Sequence, residues 1–330
     1  MKHTLICFVV LFFAAFARDA QSTQQEAPNQ NARPVTVELT LHSAKALEPR
    51  HKYLLLPKPE QQSNSDAFPI YEEATQSLQD DFQTKEISQW LSTPFSRLPR
   101  KEVQSTLQRF ESALQLIEQT TKCERCDWPD VGDDTLTENL RKYRRLAFLV
   151  ALQARFQIGQ GQYDKAVTTM RTGFVLTRHL GKGPTLIHGL VGVAVGALMC
   201  RQLEHFVQGP DAPNLYWALQ SLPRPLVDLT EQTVLETPEI RERVHLLMNR
   251  LGRHVAALQC IEAIRLYAAA QDGRCPDELS NVGEVSVPHD PVTQKPFVYH
   301  RTGAKCVLEG PAPKGAAAKE AIRYELTLKE

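Results

Sequence analysis

Apolar residues along this chain recur first with the period of a strand, then with that of a helix, then again in short strand-like runs. In "PVTVELTL" (34–41), Val35, Val37, Leu39 and Leu41 alternate with Thr and Glu, which predicts a strand with one buried face. "HKYLLLP" (51–57) is a second strand candidate, stopped by Pro57, and 58–66 reads as a loop. From residue 66 the spacing becomes helical. In 101–119, Val103, Leu107, Phe110, Leu114 and Ile117 stand 4, 3, 4 and 3 apart and make one apolar stripe. In 135–159 the stripe is Leu136, Leu140, Tyr143, Ala147, Val150, Ala154 and Ile158, with Asp134 or Thr135 as cap and Gly159 and Gly161 as stop signals.

Helices are also predicted over 162–180, over 184–208 with Pro184 in the first turn, and over 238–271, where Ile240, Val244, Leu247, Leu251, Val255, Leu258 and Ile261 share a face. Between the last two lies 209–229, with four prolines, Tyr216 and Trp217, read as a short pinned helix followed by extended chain. From Asp272 turn residues come every few positions, and "FVYH", "KCVLEG" and "RYELTL" read as strands. The expected fold is mainly α. Helical hairpins in a solenoid-like bundle occupy 66–271, after a strand and loop segment at 34–65 and before a small C-terminal β module at 272–330.

The N-terminus changes the picture of where this fold works. Lys2 precedes an apolar run from 5 to 17 that ends Ala15-Phe16-Ala17, the pattern of a secretory signal peptide at 1–17. That run of 13 residues falls short of the roughly 20 that span a bilayer. The expectation is an exported chain, periplasmic or extracellular, with no membrane span after cleavage and with an oxidising surrounding. Residues 18–33, rich in Gln, Asn and Ala, read as a disordered leader. Hydrophobic content of 42% and charged content of 23% are those of a globular protein. Lysine plus arginine equals aspartate plus glutamate at 38 each, so nothing in the charge points to nucleic acid.

Candidate chemistry is sparse. Cys123-x-x-Cys126 lacks the second ligand pair that zinc needs, and it follows a helix rather than opening one, as a redox pair would. It reads as a strained local disulfide or as two unpaired thiols beside Trp128. Cys200 and Cys260 fall in apolar helical stripes and read as buried free thiols. Cys275, after the long helix, and Cys306, in a strand, read as a disulfide that staples the small β module. His188, His205, His245 and His254 lie in helices without a His-Glu-x-x-His pattern and read as surface or satisfied core residues. Gly189, Gly192 and Gly196 predict close approach by a neighbouring helix. Tyr216 and Trp217 form a possible binding lip, or a clasp over the core. No catalytic residue, cofactor or metal is assigned.

Three resemblances add to this. "GQYDKAVTTMRTGFVL" (161–176) resembles the second half of a tetratricopeptide repeat, with Ala154 on the preceding helix fitting the first half. A single copy implies the hairpin geometry alone. "AIRLYAAAQDGRCPDEL" followed by "DPVTQKPFVYHRTG" resembles the C-terminal region of type II secretion pseudopilins, which implies the fold of the tail. "ERCDW", "RTGFVLTRHLGKGPTLIHGLVG" and "APNLYWALQSLPRPLVDL" together are similar to an uncharacterised family of exported planctomycete proteins. That similarity implies a helical fold and a cell-envelope setting. The expected role is structural or protein-interacting, with another envelope protein as partner. The alternative is a hydrolase with its site in a helical cleft, which a deep pocket with converging histidines and carboxylates would favour.

Overall fold

A computed structural model describes residues 35–45, 49–78, 82–129, 133–233, 236–314 and 316–329. The segments read as a signal peptide at 1–17 and a leader at 18–33 lie outside the described residues. Within them the chain is mainly α. Four short helices come first: α1 (Phe68–Gln76), α2 (Thr84–Ser92), α3 (Arg100–Arg109) and α4 (Glu111–Gln119). Four long helices follow with one short one: α5 (Asp133–Gly159), α6 (Tyr163–Gly181), α7 (Leu186–Phe206), the short α8 (Tyr216–Gln220) and α9 (Pro238–Ala270).

Helix limits follow local chemistry. Thr185 and Thr237 accept hydrogen bonds from the backbone N–H of His188 and Ile240, which caps α7 and α9. Pro184 therefore stands before the cap of α7 and not in its first turn. Gly161, at φ +69°, makes the turn from α5 to α6 that an L side chain resists. The stripe from Val103 to Ile117 is buried throughout, but it belongs to two helices. Phe110 leaves helical torsion angles at φ −103° and ψ 22° and packs its ring 5.3 Å from that of Phe82.

α7 is the centre of the bundle and packs against α5, α6 and α9. It is apolar and long enough to cross a membrane, with a mean hydropathy of 1.5, and 78% of that stretch is buried inside this fold. Its glycines set the spacing. A Cβ on Gly192 would lie 2.9 Å from both the backbone N of Gly181 and the carbonyl O of Thr177, so α6 crosses there backbone against backbone.

The sheet joins the two ends of the chain. Its order is β1 (Thr36–His42), β6 (Ile322–Lys329), β5 (Lys305–Gly310), β4 (Val298–Thr302). β1 runs parallel to β6, with Thr36 beside Arg323 and His42 beside Lys329; the other pairs are antiparallel. Leu39, Leu41, Cys306, Leu308, Tyr324, Leu326 and Leu328 form the buried face. A second ladder pairs β2 (Ser63–Asp66) with β3 (Cys123–Arg125) in parallel, at positions read as loop and helix exit. Residues 51–57 form no strand. The Leu54 carbonyl is taken by Arg171 Nε at 2.9 Å, and Leu54 and Leu55 are buried without a strand neighbour.

The glycine contacts give a matched pair of variants. Gly192→Ala should lower the unfolding free energy by about 1–3 kcal/mol, because backbone atoms cannot step aside as side chains do. Gly252→Ala, whose Cβ would meet only Pro291 Cγ at 3.8 Å, should leave it unchanged or raise it by up to about 1 kcal/mol. Equal stability in chemical denaturation would contradict the close α6–α7 crossing.

Candidate functional site

Two helices carry polar residues where their neighbours are apolar. On α7, Glu204 and His205 stand one turn beyond Arg201, and the three continue the face of Val193 and Ala197. On α9, Arg250 and His254 continue the face of Leu247 and Leu251. These faces meet across a cavity of about 1020 Å³, closed by the end of α5 and by β1, β6 and Phe95. That volume is at the upper end of the roughly 300–1,000 Å³ usual for small-molecule sites.

The cavity is polar at one end. Tyr324 of β6 donates its hydroxyl proton to Glu204 Oε1 at 2.7 Å, with His254 Nδ1 3.3 Å away. Arg155 comes from the last turns of α5 and is only 2% exposed. Its Nη2 donates to the Thr93 carbonyl, while Nε and Nη1 have no hydrogen-bond partner. Burial, with Arg201 beside it, brings the Arg155 guanidinium down to about 10, so it stays charged at neutral pH. Burial pushes His205 down to about 3, helped by Arg155 and Arg201. It does the same to His254, helped by Arg250, Arg253 and Arg201. Glu204 is pushed up by burial, against the pull of Tyr324 and Arg201. Near neutral pH both imidazoles are therefore uncharged and the arginines hold the positive charge.

The residues singled out from sequence lie elsewhere. Tyr216 is buried and donates its hydroxyl proton to the Ser286 carbonyl, so it fastens the C-terminal loop. Trp217 is half-buried beneath the Arg50 guanidinium, 4.8 Å from its ring centre, and lines a second hollow with Val282, Phe297 and Tyr299. Of the proposed lip, only Trp217 reaches open space.

Cys275 and Cys306 meet as expected, both buried, but their Sγ atoms stand 3.1 Å apart as two thiols. A disulfide needs about 2.05 Å, so the proposed staple is a contact here and not a bond. Cys123 is buried and accepts a hydrogen bond from Ser65 Oγ at 3.3 Å. Cys126 is half-buried, and its thiol is pushed up by burial and by Asp66 and Asp127, which keeps it protonated. Both are free thiols. Beside them Trp128 Nε1 donates to the His179 carbonyl at 2.8 Å and stacks on Tyr71. Among the described residues no three His, Cys, Asp or Glu side chains are placed to hold a metal.

His205 and His254, read from sequence as surface or satisfied core residues, instead face the cavity. A signal for them exists in the sequence. Arg201, Glu204 and His205 follow a long apolar run from Gly189 to Cys200, so they have little water to reach unless the fold encloses some.

Acid should expose these two rings. Below the usual histidine value near 6.5 the unfolded chain takes up protons that folded His205 and His254 refuse until about 3. Stability therefore falls as pH drops through that window, by up to about 1.4 kcal/mol per pH unit for each ring. The rise of Glu204 works in the opposite sense. A His205→Gln, His254→Gln double variant should show a visibly shallower loss of stability between pH 6.5 and 4.5 in urea titrations. An unchanged slope would place these rings in water.

No family model, curated protein or solved structure matches this chain, so the chemistry of the cavity is argued from its own residues.

Proposed function

We propose that this chain is an exported binding protein of a bacterial cell envelope, with the cavity between α5, α7, α9 and the sheet as its binding site. The observation that carries the reading is the cavity itself, on which Arg201, Glu204 and His205 of α7 and Arg250 and His254 of α9 converge. Export is supported by Lys2, the apolar run and the Ala15-Phe16-Ala17 cleavage pattern. The envelope setting rests on the similarity to exported planctomycete proteins. The α5–α6 pair is read as a tetratricopeptide-like hairpin and the tail as pseudopilin-like, and each bears on the local fold alone.

Binding fits the lining better than catalysis. Among the described residues that line the cavity, the Ser92 hydroxyl donates back to its own helix, at Ser88 O and Gln89 O, and the Tyr324 proton is held by Glu204. The hydrolase reading keeps the feature that favours it, a cavity on which His205, His254 and the Glu204 carboxylate converge, with a Glu204–Tyr324–His254 chain in which a neutral His254 would serve as base.

Protein isolated from envelope of its native host should carry a small molecule in native mass spectrometry and release it on denaturation. Conversion of that molecule during incubation would establish the hydrolase. An empty cavity together with a stable protein complex would replace the reading with a purely structural role.

Export also bears on the thiols. In an oxidising compartment the Cys275 and Cys306 sulfurs, already in contact, should lose two electrons and two protons to a thiol-disulfide exchange partner and close the bond. Non-reducing peptide mapping of the exported protein should find Cys275 joined to Cys306. Two free thiols, or a Cys123 cross-link to either, would contradict this.

A further inference from the structure

Two imidazoles face the cavity with free lone pairs, and one of them is oriented from behind. Tyr324 gives its hydroxyl proton to Glu204 Oε1 at 2.7 Å, so toward His254 Nδ1, 3.3 Å away, its oxygen can only accept. The proton of His254 therefore sits on Nδ1, and Nε2 carries the bare lone pair. A metal-ligating histidine is fixed in the same way, by giving its other N–H to an acceptor behind it. Nε2 of His254 and both ring nitrogens of His205 have no hydrogen-bond partner among the described residues. Both side chains are part-exposed, and the space they meet is the cavity they line. Burial keeps both rings uncharged at neutral pH.

The donor set narrows the ligand. An ion held by the protein alone needs three or more side chains. Among the described residues no three His, Cys, Asp or Glu are placed to supply them. A metal bound here brings most of its ligands with it and leaves an axial position open, as the iron of a haem does. The rest of the lining suits such a macrocycle. Arg201 and Arg250 stand one turn before His205 and His254 on the same helix faces. The four arginines of the lining, which include Arg155 and Arg323, outnumber its three acids, Glu38, Glu204 and Asp211. That balance favours a ligand with carboxylates of its own over a bare cation. Val193, Leu247, Leu251 and Phe95 offer apolar contact to its ring, and the volume of about 1020 Å³ has room for it. We propose that the cavity is a haem site, with the iron on Nε2 of His254 and the haem carboxylates on Arg201 and Arg250. This rests on the binding reading above and names its ligand. Tyr324 and Glu204 are then positioning residues, which hold the His254 ring and its tautomer.

The test is optical titration of the mature full-length chain, after removal of any bound molecule, with ferric haem and with metal-free protoporphyrin. Haem should bind one-to-one with the sharpened, red-shifted Soret band of imidazole-ligated iron, about 10-fold or more tighter than protoporphyrin, which lacks the bond to a ligating histidine. His254→Ala should lose that band and regain it when free imidazole is added, and the recovery separates a lost ligand from a misfolded chain. Tyr324→Phe should keep the band and weaken haem about 10-fold, as loss of the acceptor behind a ligating histidine does. An unchanged band in His254→Ala, or protoporphyrin bound as tightly as haem, would overturn the haem site while the cavity remained a binding site. No haem binding, with an occupant still found in native protein, would do the same. No haem binding and no occupant would overturn the binding reading itself.

Discussion

Two arginines buried on one helix hold the first and last described strands in place. Arg253 and Arg265 of α9 are at most 2% exposed. Arg253 makes a forked pair with Asp290, through Nε at 3.0 and 3.1 Å and Nη2 at 2.8 Å, and it donates to the carbonyls of Pro311 and Glu320. Arg265 pairs with Glu262 at 2.8 Å and donates to the carbonyls of His42 and Ala212. Glu262 also accepts from the Leu215 N–H, and its own carbonyl accepts from Asn214. One helix thus fixes the end of β1, the proline-rich loop before α8, the Asp290 turn and the approach to β6. Such pairs are poor sources of net stability, since desolvation offsets much of their attraction. Their effect is on specificity. Any arrangement that moves one of these segments away leaves a buried guanidinium unpaired, at a cost of about 3–5 kcal/mol.

The cavity is a consequence of that pinning. With β1 and β6 held against α9 at their ends, the sheet lines the space beside the contact of Gly196 with Leu251. Close packing then stops where the side chains become polar. Arg201, Glu204, His205, Arg250 and His254 enclose space because they need partners that apolar helices do not offer. The same helix α7 serves both purposes, with glycines against α6 on one side and charges toward the cavity on another.

Much of the helical architecture was legible from residue spacing, because amphipathic stripes of this length leave few alternatives. The C-terminal strands were legible for the same reason with the other period. Three features were not. Phe110 continues the apolar stripe while breaking the helix, and periodicity reports which face is buried and not whether the backbone runs straight. The parallel pairing of β1 with β6 joins residues almost the whole chain apart, and nothing local encodes it. Arg253 and Arg265 resemble ordinary surface arginines of a long helix, since the partners that let them be buried come from four other segments. The cavity was missed through the same gap. His205 and His254 stand 49 positions apart, and only the tertiary fold makes them two walls of one space.

The central claim is that this space is a binding site. The most direct measurement is a crystal structure of the exported protein, purified from its native host with no ligand added. The account predicts density for a bound molecule in the cavity, with polar atoms within hydrogen-bond distance of Arg201, His205 or His254. A cavity filled by the protein's own side chains would contradict it.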